Sequence, residues 1–242
     1  MHVTLPIYCE TAHPMRFGGF VIAEPVNFLT NIFILLAALA AVRLLRRRRF
    51  STPGQWLLVV LLFMTAFGSF AWHGIRTPLT LALDSWSGLA FLISLVGVWA
   101  GVLYGRWIGI LAAVGFVLLA GGSFFAGFHV AAMLGGALAR RLVFVPFFLL
   151  VTLFAMVLIR ATAARNADAA RSGLYVLLCG LAAAVGRTTD LFVCPWLPVG
   201  SHFIWHIFLS AAAYLAFVLL STLVQPGGLN RRGVSSHHIF GL

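Results

Sequence analysis

His202 and His206 stand four residues apart inside a long apolar run, so on a helix both imidazoles leave the same face. A third histidine, His73, closes an earlier apolar run, with Ser69 one turn before it. Asp84 follows near the start of the next run. Three neutral imidazoles that leave a fourth position open form the ligand set of a catalytic zinc site rather than a closed structural one. Each element has a plainer reading when taken alone. A histidine pair on an apolar helix is a weak signal, a lone serine is a small residue at a helix interface, and Asp84 could cap its helix or pair with Arg76. The conjunction favours a metal, because three His, one Ser and one Asp fall at the same depth and on the same side of the bundle described next.

The elements that must carry these residues are membrane spans. Of 242 residues, 62% are hydrophobic and only 9% are charged, whereas a soluble domain carries about 25% charged residues. The apolar residues come in blocks that repeatedly reach the ~20 residues needed to cross a bilayer. This predicts an all-α polytopic membrane protein, a seven-transmembrane-helix bundle, with spans near residues 24–45, 55–74, 79–104, 107–126, 141–160, 172–190 and 201–223. Residues 1–23 read as an external N-terminal segment, 24–224 as the membrane domain and 225–242 as a flexible cytoplasmic tail. The stretch 127–140 either extends the fourth helix or forms a re-entrant connection, and 160–171 reads as a polar loop. Thr77-Pro78 supplies an N-cap and N1 proline for the third span, and Gly200-Ser201 is expected to cap the seventh in the same way. No removable signal peptide is expected, since no basic region precedes a short apolar core.

The net charge is +11, and all 16 basic residues are arginine. They cluster beside the spans, above all at Arg43, Arg46, Arg47, Arg48 and Arg49, which is a topology signal and argues against a nucleic-acid partner. Together with Arg106, Arg160, Arg165, Arg171, Arg231 and Arg232 they place the N-terminus outside and the C-terminus in the cytoplasm. Arg76, Arg140, Arg141 and Arg187 fall on the opposite side. Of the five acidic residues, Asp168 reads as a surface charge. Glu10, Glu24, Asp84 and Asp190 gather at the external ends of the helices, where ionisable groups face a cavity or a partner. His2, His13, His129, His237 and His238 lack ionisable partners at useful spacing. A transporter would place ionisable residues through the full depth of the bilayer, and here the inner half is nearly free of them.

Ser69-Phe-Ala-Trp-His73, Asp84 and His202-Phe-Ile-Trp-His206 together resemble the signature of the alkaline ceramidases and their superfamily of seven-helix membrane proteins, which takes in receptor-like and lipid-remodelling members. Tyr8-Cys9-Glu10 resembles the Trp-Cys-Glu of the ceramidase branch, and Ala23-Glu24-Pro25-Val26-Asn27, followed by Thr30-Asn31, resembles its Ala-Glu-x-x-Asn segment. The resemblance implies zinc held by His73, His202 and His206, Asp84 beside the reacting water, and Ser69 beside the substrate carbonyl. The substrate implied is a ceramide-like lipid amide drawn from the bilayer, cleaved to a sphingoid base and a fatty acid. It further implies calcium near Glu10, Glu24 and Asn27. The sequence departs from the family there: Ile7 replaces an Asp, Ala12 lacks a side-chain oxygen, and the interval from Glu10 to Glu24 is long. Leu83-Asp84-Ser85-Trp86 also lacks the usual Glu-Leu-Pro after the aspartate, which points to a different substrate preference.

Cys9 and Cys194 fall on the same external side, so a disulfide between them is expected, while Cys179 reads as a small packing residue inside a helix. The competing reading is a receptor-like or lipid-binding protein with a structural zinc. The chain suggests no protein partner. In a bacterium it would sit in the cytoplasmic membrane, and in a eukaryote in the endoplasmic reticulum or Golgi.

Overall fold

A lipid environment offers backbone groups no water, so each crossing segment must satisfy its own N–H and C=O groups. The apolar blocks meet that requirement as helices. The computed structural model describes residues 7–135 and 142–227. Among these residues seven helices are long and apolar enough to cross a membrane: Pro25–Arg47, Pro53–Ile75, Pro78–Tyr104, Arg106–Leu134, Val145–Ala163, Ala167–Val193 and His202–Val224. Each packs against its sequence neighbour, and the seventh returns against the first to close the ring. Large apolar side chains such as Leu36, Val60, Phe67, Leu118, Leu153 and Val185 face outward, as they should against lipid. The chain is an integral multi-pass membrane protein.

The inner core runs along the first, second, third and seventh spans, through Ile34, Leu58, Leu62, Phe91, Trp99, Phe217 and Leu220. Hydrogen bonds between helices join it where a polar atom would otherwise be stranded. Trp99 Nε1 donates to Thr162 Oγ1 at 2.9 Å, and Gln55 Nε2 donates to Ser221 Oγ at 3.3 Å.

Helix ends set where the functional residues emerge. Thr77 accepts from the Thr80 backbone N–H at 3.2 Å with Pro78 at N1, so the third span begins two turns before Asp84. The second span ends at Arg76, which adopts a left-handed backbone (φ 57°) and donates its backbone N–H to Trp72. The first span is interrupted at Asn31, whose side-chain amide donates to the Asn27 carbonyl at 3.0 Å.

Of the two readings of 127–140, helix extension holds as far as Leu134, the fourth span continuing past 126 through His129. Two sequence expectations need correcting. The sixth span starts at Ala167, because Asn166 accepts the Ala169 N–H at 2.8 Å as an N-cap. Asp168 therefore lies in a first helical turn, where a carboxylate favours the helix dipole, and not in a loop. The Ser201 hydroxyl does not cap the seventh span. It donates to the Gly186 carbonyl at 2.7 Å, and Asp190 takes the capping role. The expected tail lies outside the described residues from 228 onward, as do His2, Arg140, Arg141, Arg231, Arg232, His237 and His238.

The N-terminal segment folds over one end of the bundle as a short 3-10 helix, Cys9–Ala12, and a two-stranded hairpin, β1 (Met15–Phe17) and β2 (Phe20–Ile22). The chain leaves β2 bonded to the end of the second span, with Ala23 N–H donating to Gly74 and Glu24 N–H to His73.

Candidate metal centre

The three histidines expected to bind zinc converge at the end of the bundle covered by the N-terminal segment. His73 arrives on the last turns of the second span, and His202 and His206 on the first turns of the seventh. All three are buried, and one ring nitrogen from each lies within 4.8 Å of the other two. The ring centroids are 4.8–5.2 Å apart.

Two of the rings are held by their other nitrogen. His73 Nδ1 lies 2.5 Å from Glu24 Oε2. A carboxylate only accepts, so Nδ1 carries the proton and Nε2 is left as a lone pair. His206 Nδ1 lies 2.9 Å from Thr30 Oγ1. The Thr30 hydroxyl spends its own proton on the Val26 carbonyl at 2.9 Å or the Asn27 carbonyl at 3.1 Å, so it accepts from His206 and leaves that Nε2 free as well. His202 stacks on the Tyr8 ring at 4.1 Å. Its Nδ1 is buried with no hydrogen-bond partner among the described residues. Three convergent imidazoles, two fixed in the ligand tautomer and one with an orphaned nitrogen, fit a zinc ion.

Ser69 and Asp84 flank this centre. Ser69 is buried one turn before His73, and its side chain interacts with that of Asp84. Gly68 makes this approach possible, because a Cβ there would lie 2.8 Å from the Leu83 backbone. The third span thus comes against the second at the one step that sets serine beside aspartate.

Glu24 and Glu10 are fully buried. Beyond His73, Glu24 accepts from Thr11 Oγ1 at 2.7 Å, from Asn27 Nδ2 at 3.3 Å and from Arg76 Nη1. Glu10 accepts the backbone N–H groups of Val26 and Asn27 and so caps the first span. Burial pushes both carboxyls above their ordinary range, while these donors pull them back down. Burial likewise raises the Tyr8 phenol, against the opposing pull of Arg187. Calcium does not fit these residues. Each carboxylate oxygen already takes a protein donor, and the Arg76 guanidinium stands against Glu24 where a cation would. Asn27 Oδ1 is the oxygen left without a partner, and one amide oxygen falls far short of the 6–8 ligands calcium takes, typically at about 2.3–2.6 Å.

Asp190 knits the segment to the bundle. Its Oδ1 accepts from Ser201 N–H at 2.8 Å and His202 N–H at 2.9 Å, and its Oδ2 accepts from Cys9 N–H at 3.0 Å. It thereby fixes the helix start that presents His202. Cys9 and Cys194 are joined by a disulfide, with Cα atoms 5.3 Å apart. Gly200 turns the chain there with φ +69°, and any Cβ would collide with the Asp190 carboxylate and with Cys9. The sequence offered Arg76 only as a partner for Asp84, placed Asp190 only among the acids of the external end, quoted Tyr8 and Thr30 only within motifs, and gave Arg187 no role. Arg76 and Arg187 did carry a signal, since with Arg140 and Arg141 they were expected on the side opposite to the main arginine clusters.

A seven-span bundle with three buried imidazoles gathered at one end defines a polytopic membrane protein with a candidate metal centre. The family model described as Ceramidase matches residues 8–230, and the chain belongs to the ceramidase family. No curated protein is matched by the chain.

Two outcomes follow from this geometry. Thr30→Val removes the side-chain acceptor of His206, leaving the ring only the Asn27 carbonyl, and zinc affinity measured by chelator competition should fall by about 10–100-fold; unchanged affinity would show that the contact does not matter. Calcium or EGTA should leave the thermal midpoint of the purified protein where it was, and a calcium-dependent rise would contradict the non-fit described above.

Proposed function

We propose that this protein is a zinc-dependent lipid amide hydrolase that cleaves ceramide-like substrates within the membrane to a long-chain amine and a fatty acid. The observation that carries the reading is the set of three buried imidazoles beside the Ser69–Asp84 pair, in a chain of the ceramidase family. His73, His202 and His206 would hold the ion, which when bound supplies Lewis acidity that polarises a carbonyl and acidifies water.

The protein's own groups do the rest. Asp84 takes a proton from the attacking water and returns it to the nitrogen of the leaving amine, so one carboxylate serves both halves of the reaction. The Ser69 hydroxyl donates to the carbonyl oxygen as negative charge builds on it. Glu24 and Thr30 keep the His73 and His206 rings from turning. Apolar spans admit the acyl chains, and the amide reaches the metal end from the side of the bilayer.

The same reading puts the metal end, the N-terminal segment and the disulfide on the external face, and the C-terminus in the cytoplasm. Arginine placement supports this orientation, and a disulfide suits an oxidising compartment.

Asp84→Asn should lower kcat on a fluorescent ceramide by about 10²–10⁴-fold, and Ser69→Ala by about 10²-fold, each with wild-type zinc content by metal analysis. Full activity in Asp84→Asn would overturn the assignment of the proton carrier. Zinc bound without turnover on any lipid amide would favour a receptor-like protein with a structural zinc.

A further inference from the structure

Arg187 is the charge at the metal end for which the hydrolase reading has no use. It stands near the end of the sixth span, one turn before Asp190. An ionised side chain at such a depth is costly and faces a partner or a cavity. Its Nη1 donates to the Tyr8 hydroxyl at 3.0 Å. Its guanidinium lies 4.6 Å from the centre of the Phe144 ring and 5.7 Å from those of Tyr8 and Trp205. Such rings compensate part of the desolvation of a cation. A guanidinium nevertheless presents five N–H donors in a fixed fork, and the phenol oxygen answers only one.

The acids nearby are committed elsewhere. Among the described residues no carboxylate forms an ion pair with Arg187; the pairs at this end are Glu24 with His73 and with Arg76. Both oxygens of Asp190 take backbone N–H groups. Glu10 is turned to the start of the first span. Asp84 acts on Arg187 electrostatically without forming an ion pair with it.

Arg187 also belongs to the metal centre by contact. The Tyr8 ring it holds stacks on His202, and Trp205 directly precedes His206. A planar cation with donors to spare, walled by aromatic rings and set beside three imidazoles, is built to receive a planar oxyanion through parallel hydrogen bonds.

We propose that Arg187 is the receptor for a carboxylate or similar oxyanion of the lipid bound at the metal centre, an inference that rests on the hydrolase reading of the same site. Two sources share this chemistry: an acidic head group beside the amide of the intact substrate, or the carboxylate released when the amide is cleaved. In the first case Arg187 selects acidic N-acyl lipids over neutral ceramide, and in the second it holds the fatty acid product.

The test uses full-length protein in detergent, wild type beside Arg187→Met and Arg187→Lys. Binding of palmitate and of hexadecanol is measured by thermal shift, which needs no turnover, and kcat/KM is measured on N-palmitoylglycine and on its methyl ester. Palmitate should stabilise the wild type where hexadecanol does not, with an apparent affinity at least about tenfold weaker in Arg187→Met and partly recovered in Arg187→Lys. A wild-type preference for N-palmitoylglycine over the ester, lost in Arg187→Met, identifies the head group as the source. Equal turnover of the two, with palmitate binding still dependent on Arg187, identifies the product. The proposal is overturned if the wild type binds palmitate and hexadecanol alike, or if Arg187→Met weakens both ligands equally. Should Arg187→Met fail to fold, the wild-type comparison and Arg187→Lys decide the matter. If no amide is turned over at all, the hydrolase reading fails while the binding arm still judges Arg187.

Discussion

The Glu24 carboxylate holds His73 by its Nδ1 on one oxygen and takes Thr11 and Arg76 on the other. It stands at the N-terminus of the first span, yet apart from Asn27 its side-chain partners come from the 3-10 helix and from the end of the second span. Burying a charge is costly unless it is paired and hydrogen-bonded, so these four groups must arrive together or not at all. That requirement couples the N-terminal segment to the metal centre. The segment closes over the imidazoles because the carboxylate that orients His73 cannot be satisfied without it.

The same logic recurs at Asp190, where one buried carboxylate collects three backbone donors. It starts the seventh span and so aims His202, while the neighbouring disulfide holds Cys9 in place. Glu10 does this for the first span, which presents Thr30 to His206. Three acids of the covered end thus work on helix starts and ring orientation, which leaves Asp84 beside Ser69. The opposite half of the bundle is packed by apolar side chains and serves as a frame.

The seven spans were legible because lipid permits little else for apolar blocks of that length. Boundaries failed where local chemistry was ambiguous. Asn166, Asp168 and Arg171 look like a solvated loop, yet an asparagine N-cap followed by an acidic first turn is also how a helix begins. The convergence of the three imidazoles could be read because three His, one Ser and one Asp share a depth and a side, a conjunction that the histidine pair alone does not carry. Their supports could not. Thr30, Tyr8 and Asp190 matter only through partners 176, 179 or 181 residues away in the chain, and no local pattern encodes such pairs. Arg76 and Arg187 were visible as exceptions to the arginine asymmetry. Both pack against Tyr8, whose ring stacks on His202.

In the proposed function three histidines hold a zinc ion on which amide cleavage depends. Its most direct test is zinc content and fluorescent-ceramide turnover measured together on detergent-purified wild type and His206→Ala. About one zinc per chain with turnover is expected in the wild type, and the loss of both in the variant. Wild-type protein that binds no zinc, or turnover that persists in His206→Ala, would contradict it.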